Sequence, residues 1–318
     1  MKSDLSVLLK GEVNRTQLKD FPSPYRGKVR DVYSLNESTL GIIVTDRISA
    51  FDHVFEETIP FKGQILNLLA TFSMDKVQDI IRTHIIEVPH PNVTIARKCS
   101  PLPIEVVVRG HLTGHAWRTY KSGERALCGE IMPDGLKENE AFPIPLITPT
   151  TKALYGHDED ISHDQIIKKK FVTEELWNQV CDIAIKLFKR GQYIANEHGL
   201  ILADTKYEFG IYKGELMLID EVHTADSSRY FYLDKFEERV KSGEPPLQLS
   251  KEFLREWLIS QDFMGKDGQS VPNLPDELRL QVYKRYAELF EILTGNAFTP
   301  VFTFNQEKTF SDIFRQYV

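Results

Sequence analysis

Cysteine is scarce. The chain has three, Cys99, Cys128 and Cys181, far apart and without CxxC spacing. That pattern excludes a disulfide framework or a thiolate zinc site and leaves free thiols suited to a reducing compartment. No apolar run approaches the roughly 18 residues of a membrane span. The opening MKSDLSVLLKGEV is too short and too interrupted by charge for a secretory leader. A cytoplasmic location with no membrane partner is expected. A basic excess is also missing: 39 Lys and Arg stand against 46 Asp and Glu, a net charge of -7. General nucleic-acid affinity needs a basic surface that replaces counterions, so no nucleic-acid partner is expected. Where basic residues do cluster, a small anionic ligand is the better reading. The phosphate-loop pattern GxxxxGK[ST], internal repeats and low-complexity segments are absent as well.

What is present is an ordinary globular balance over 318 residues, 42% hydrophobic and 27% charged, enough for two domains or one two-lobed unit with a real core. Strands are predicted over Tyr25 to Ser34, Thr39 to Thr45, and Ile85 to Ala96, the last interrupted by Pro89 and Pro91. Helical spacing runs from Gln64 to Ile81 through Ile65, Leu68, Leu69, Phe72 and Val77. Pro101 and Pro103 make a stiff extended link, so residues 1–100 are expected as a β-rich lobe and 101–318 as a second. Residues Leu127 to His163 read as a long irregular excursion. A helix starts at Thr173, a good N-cap, and stops near Gly199. A hairpin follows, Leu200 to Ile211 and Leu216 to Val222, turned at Lys213-Gly214. The rest is mainly helical, with Asp276 to Thr294 clearest. Strands and helices mix without βαβ alternation, so the class is α+β.

The chemistry concentrates in a few places. In Leu202-Ala-Asp204-Thr-Lys206-Tyr-Glu208, three charges fall at period two and share one strand face. The return strand ends in Asp220-Glu221, and carboxylates from neighbouring strands make a hard-oxygen site suited to Mg²⁺. A three-residue turn at Lys213-Gly214-Glu215 brings Asp220 onto the face of Glu208, whereas a two-residue turn brings Glu221. In Gly27-Lys28-Val-Arg30-Asp31, the glycine permits close backbone approach, and the two cations point the same way on a strand. That suits a triphosphate, and a solvated basic strand shows the same pattern. The apolar run Ile104 to Val108 delivers Arg109 into Gly110-His111-Leu-Thr-Gly114-His115, good chemistry for gripping phosphate or carboxylate. The glycines argue for a loop rather than a helical histidine pair that binds metal. Thr45 to Asp52 forms a polar, turn-forming cluster after a strand, readable as a bonded turn or a substrate loop. Asp226, Ser227, Ser228 and Arg229 supply another anion site.

Together these motifs resemble the SAICAR synthetase family of purine biosynthesis. The likeness runs through Gly27 to Asp31, Thr45 to Asp52, Ile59 to Gly63, Leu102 to Gly114, Leu202 to Gly210 and Asp220 to Arg229. Pro149 to Lys152 with Gly156-His157-Asp158 resembles the family's longer form. The resemblance implies a two-lobed, ATP-grasp-like α+β fold with a nucleotide cleft between lobes. It also implies an ATP-dependent carbon–nitrogen ligase that joins L-aspartate to carboxyaminoimidazole ribonucleotide, with ATP and Mg²⁺ required. By that likeness Gly27, Lys28, Arg30 and Lys98 bind the nucleotide, and Lys206, with Asp204, is catalytic. Glu208 and Asp220 hold Mg²⁺, which favours the three-residue turn. Asp46, Ser49, Asp52, Lys62, Arg109, His115, Asp226, Ser228 and Arg229 take substrate. Two departures are visible: the family has serine where His115 stands, and some members have lysine at Arg30. A small-molecule kinase, or a nucleotide-binding regulator with a vestigial site, are the other readings.

Overall fold

Turn chemistry decides where the strands of the first hundred residues break. The computed structural model describes residues 5–152 and 159–318; Gly156, His157 and Asp158 therefore lie outside the described residues. Its strands are β1 (Tyr25–Arg26), β2 (Arg30–Ser34), β3 (Thr39–Val44), β4 (Arg47–Ala50), β5 (His53–Thr58), β6 (Ile85–His90) and β7 (Val93–Arg97). The segment Tyr25 to Ser34, expected as one strand, is a hairpin. The N–H of Gly27 donates to the carbonyl of Arg30 at 2.8 Å, and β1 pairs antiparallel with β2. Lys28 consequently lies in a tight turn, not on a strand face beside Arg30. Of the two interruptions expected, Pro91 is in the β6–β7 turn, whereas Pro89 lies within β6.

Two compact units divide the chain. One comprises the described residues up to Phe72 with His84–Cys99 and Ser250–Val318; the other comprises Ser73–Thr83 and Ser100–Leu249. In the first, an antiparallel sheet runs in the order β1-β2-β3-β7-β6, with β4 and β5 as a separate hairpin. Residues 250–318 return to this unit, so they do not belong with residues 101–249 as expected. The reason is apolar burial. Phe310 and Phe314, on the helix Gln306–Phe314, pack with Val13, Leu18, Tyr33, Ile43, Val93 and Ile95 in one buried cluster.

The second unit holds β8 (Ser100–His111), β9 (Ala126–Leu127), β10 (Glu130–Ile131), β11 (Ala141–Thr151), β12 (Leu200–Tyr212), β13 (Glu215–Ile219) and β14 (Ser228–Tyr232). The sheet order is β11-β8-β12-β13, and β14 also pairs with β12. The long excursion thus contains an eleven-residue strand, β11. Pro143, Pro145 and Pro149 are tolerated because β11 is an edge strand, and a register shift between Ala141 and Leu146 absorbs the first two. The helix Glu174–Glu197 begins where expected, with the Thr173 hydroxyl accepting the N–H of Leu176. It covers one face of the sheet: Gly110 abuts Phe188, and Gly191 abuts His223, which bonds the Tyr207 hydroxyl at 2.6 Å.

The C-terminal packing is directly testable. Truncating a fully buried phenylalanine loses transfer energy and leaves a cavity, so Phe314→Ala is expected to lower unfolding free energy by about 3–5 kcal/mol. Urea denaturation of the full chain measures it; a change within error would show that residues 306–314 do not brace this core.

Candidate active site

The face of the second sheet opposite that helix is polar. Asp204 pairs with Arg109, and Glu208 with Glu105, across β12 and β8. Directly opposed residues share a face, so Glu105, Arg109, Asp204, Lys206 and Glu208 form one surface, while Val106 and Val108 are buried on the other. Two groups of side chains result.

In the first, one carboxylate oxygen of Asp204 receives Arg229 Nη1 at 2.6 Å and lies 3.6 Å from Arg109 Nη1. Arg109 Nε donates to Thr148 Oγ1 at 2.8 Å. Burial lowers the Arg109 pKa and Asp204 opposes that shift. Gly114 permits the approach of Arg229: its φ is +56°, and a Cβ there would stand 2.2 Å from Arg229 Nη2. Gly110 and Gly114 do not form the expected loop. Gly110 lies within β8, and Gly114 opens the helix Gly114–Lys121. His115, in its first turn, bonds Asp160 Oδ2 at 2.7 Å. Ser228 and Thr205 share a hydroxyl bond of 2.8 Å, and Asp226 is half-buried two residues before Ser228.

In the second group, three carboxylates among the described residues meet one ammonium. Lys206 Nζ donates to Glu105 Oε1 at 2.9 Å, contacts Glu208 Oε1, and lies 3.9 Å from Asp220 Oδ2. Lys152 takes the other oxygen of Glu208. Burial disfavours both charges, yet the partners prevail: Glu208, Glu105 and Asp220 hold the Lys206 pKa well above the ordinary lysine value. Lys206 and Lys152 hold the Glu208 carboxyl well below the ordinary range.

Asp220 arrives by an unexpected route. The turn has two residues, Lys213 and Gly214, with φ of +51° and +84°, and Tyr212 pairs with Glu215. This is the left-handed pair that suits a tight hairpin, not the three-residue turn. Glu208 therefore opposes Ile219. Asp220 follows with φ of +64°, and that kink breaks the alternation and brings its carboxylate to Lys206. Glu221 instead accepts the Thr224 hydroxyl at 2.5 Å.

The candidates in the first unit are placed differently. Lys28 pairs with Asp52, both largely exposed at turns. Arg47 braces the Gly27-Lys28 turn by donating to both carbonyls and to Asp31, each at 2.9–3.1 Å. Arg30 is half-buried on β2, and Lys98 Nζ donates to Ser34 Oγ at 3.0 Å. Thr45 to Asp52 is no loop: it includes β4, with Ser49 buried. Asp46 is buried and accepts the N–H groups of Val13 and Gly63, each at 2.8 Å, so its carboxylate ties backbone together. Burial raises its pKa to about 7. Lys62 is fully buried.

Glu105 and Lys152 were not singled out as site residues from the sequence. An acidic residue inside the apolar run Ile104 to Val108, four before Arg109, was the available signal for the first. Lys152 carries none, since its partner lies 56 positions away.

Fold and face together define an α+β enzyme in which two arginines on one carboxylate adjoin an ammonium caged by carboxylates. The sequence model of SAICAR synthetase matches residues 23–270. The phosphoribosylaminoimidazole-succinocarboxamide synthase of Bacteroides thetaiotaomicron is 52% identical over 284 residues, 89% of this chain and 90% of that protein. The SAICAR synthase of Saccharomyces cerevisiae, solved in complex with SAICAR, superposes with a TM-score of 0.78 at 34% identity, over 91% of this chain and 100% of that one. A type-2 SAICAR synthetase in complex with ADP shares the fold, with a TM-score of 0.67 at 23% identity over 87% of this chain and 100% of that one. The chain belongs to the SAICAR synthetase family and is a ligase of purine biosynthesis.

Two buried histidines set an acid limit. Burial lowers the pKa of His111 to about 4 and of His223 to about 3. An unfolded histidine takes its proton near pH ~6.5, so below that pH the unfolded chain binds protons that the folded chain refuses. Stability therefore falls on acidification. The raised Asp46 carboxyl acts in the opposite sense between about pH 7 and the ordinary carboxylate range. Glu208, whose pKa is depressed, loses its contribution only at lower pH. The ring resonances of His111 and His223 should stay at neutral shifts from about pH 7.5 to about pH 5, while histidines of the urea-unfolded chain titrate in that range. Titration of either ring in the folded protein would contradict the assignment.

Proposed function

We propose that the protein joins L-aspartate to the carboxylate of carboxyaminoimidazole ribonucleotide, with ATP as the energy source and an acyl phosphate as the intermediate. The observation that carries this reading is the shared sheet face, where two arginines on one carboxylate adjoin Lys206 among three. A carboxylate resists amine attack until one of its oxygens becomes a good leaving group. Transfer of the γ-phosphoryl group to that oxygen releases ADP. Attack by the aspartate nitrogen on the acyl carbon then expels phosphate, and the nitrogen loses its proton as the amide forms.

In this reading Lys206 donates from a fixed position to the transferring phosphoryl group and the reacting carboxylate. Its ammonium is already oriented, so little reorganisation is needed when charge develops. Asp204 aims Arg109 and Arg229, which with Ser228 grip the 5′-phosphate of the ribonucleotide; His115, in place of the family's serine, stands beside them with its ring bonded to Asp160. Asp226 lies beside this grip. Gly27, Lys28, Arg30 and Lys98 serve the ATP phosphates, while Ser49, Asp52 and Lys62 serve the substrate. Asp46 contributes by holding Gly63 and Val13 in place, not by touching substrate.

The carboxylates suit a hard cation, since they already converge on an ammonium. No three His, Cys, Asp or Glu side chains among the described residues form a complete metal cage. Mg²⁺ needs none, because it takes one or two protein carboxylates and completes its shell with water and phosphate oxygens. Glu208 and Asp220 would hold it, and it would neutralise phosphoryl charge when bound.

A kinase on the same scaffold has no use for a second amine substrate. ADP release in the presence of the ribonucleotide should therefore require aspartate; equal release without it would leave a kinase or ATPase. Arg109→Ala is expected to raise the KM for ribonucleotide about 10–100-fold, the loss of one charge-assisted bond, and to spare ATP affinity. Steady-state titration of both ligands separates these outcomes, and parallel losses would refute the division of roles.

A further inference from the structure

Glu208 is nearly buried, and ammonium groups take both of its carboxylate oxygens. Lys206 holds Oε1 and Lys152 holds Oε2. Each oxygen keeps a second lone pair, but two ammonium charges in contact with the carboxylate repel an entering divalent cation, so binding at Glu208 favours the departure of one of them. The two lysines are not held alike. Lys206 also donates to Glu105 and approaches Asp220, and its side chain is 26% exposed. Lys152 is 41% exposed and makes its ion pair with Glu208.

The backbone of Lys152 is held to the sheet while its side chain is partly exposed to solvent. Its N–H donates to the carbonyl of Pro103 at 3.1 Å, and Thr151 pairs with Ile104 across β11 and β8. Departure of the ammonium is a swing of a flexible four-carbon stem into water, with no strand moving. Loss of Lys206 from its place would instead remove the ammonium that lies between Glu105 and Glu208, which oppose each other across the two strands, at a like-charge cost.

We propose that Lys152 is a displaceable internal counter-ion of Glu208: a divalent cation entering at Glu208 and Asp220 takes the oxygen that Lys152 holds, and Lys152 leaves. The inference rests on the metal reading given above. It makes metal binding an exchange of one cation for another, so that the free enzyme binds metal weakly and both oxygens of metal-free Glu208 keep an ammonium partner.

Mn²⁺ binding to the full chain without nucleotide, followed by electron paramagnetic resonance at fixed pH and ionic strength, tests this. Lys152→Met keeps the stem and removes the competing charge. It should bind Mn²⁺ about 10-fold more tightly than wild type, equivalent to about 1.4 kcal/mol, and should melt at a lower temperature when metal-free. Lys152→Gln repeats the measurement with a polar replacement, and Lys152→Arg, which keeps the charge, should restore weak binding. Glu208→Gln should abolish binding at this site. Unchanged or weaker binding in Lys152→Met and Lys152→Gln, with Glu208→Gln still abolishing it, would overturn the exchange and leave the metal reading standing. If Glu208→Gln binds like wild type, the metal reading fails and the exchange fails with it.

Discussion

Everything on the polar face depends on keeping the Lys206 ammonium charged in a largely desolvated position. Burial alone pushes such a group toward neutrality, and three carboxylates from three different strand contexts reverse that. Glu105 comes from β8, Glu208 from β12 beside Lys206 itself, and Asp220 from just beyond β13. Each requirement then propagates outward. Glu105 must sit opposite Glu208, which fixes the β8–β12 register. Asp220 must come forward after Ile219, which uses a left-handed residue. Lys152 must neutralise the oxygen of Glu208 that Lys206 leaves. The sheet can bear this load on one face because Val106, Val108 and Tyr207 are buried on the other.

Much of this was legible from local pattern, and the failures share a cause. Period-two charges at Asp204, Lys206 and Glu208 placed the central strand and its face correctly, because alternation is a property of a single strand. The N-cap at Thr173 and the stop after Thr294 were readable for the same reason. The turn was misjudged because it was inferred from the residue wanted at the site. Regular alternation offers no way for Asp220 to reach that face across a two-residue turn, and a positive φ at a non-glycine residue leaves little trace in the sequence. Strand β11 was missed since three prolines argue against a strand only when both edges are paired. Lys152, Glu105 and the return of Phe310 and Phe314 depend on contacts between distant segments, which no window of sequence displays.

The arginine pair on Asp204 and the ammonium cluster share strands β8 and β12. Asp204 belongs to one and Lys206 to the other, two residues apart on the same face. Such spacing places both groups on a single rigid element, so their separation is set by backbone geometry rather than by loop conformation. Gly114 and Arg229 show the same economy of space: the guanidinium lies where a side chain at 114 would have been.

The Lys213-Gly214 turn has a consequence for how chains of this kind can vary in length. Hairpin tips are ordinarily where sequences gain or lose residues most freely, because little packs against them. Here the tip acts as a ruler for the far end of the hairpin. One inserted residue retained in the pairing would slide β13 along β12 and turn its alternate side chains over, changing the place from which Asp220 approaches Lys206 and Glu208. Indels at this exposed tip are thus constrained by a site several residue pairs away, and length variation should fall elsewhere on the surface.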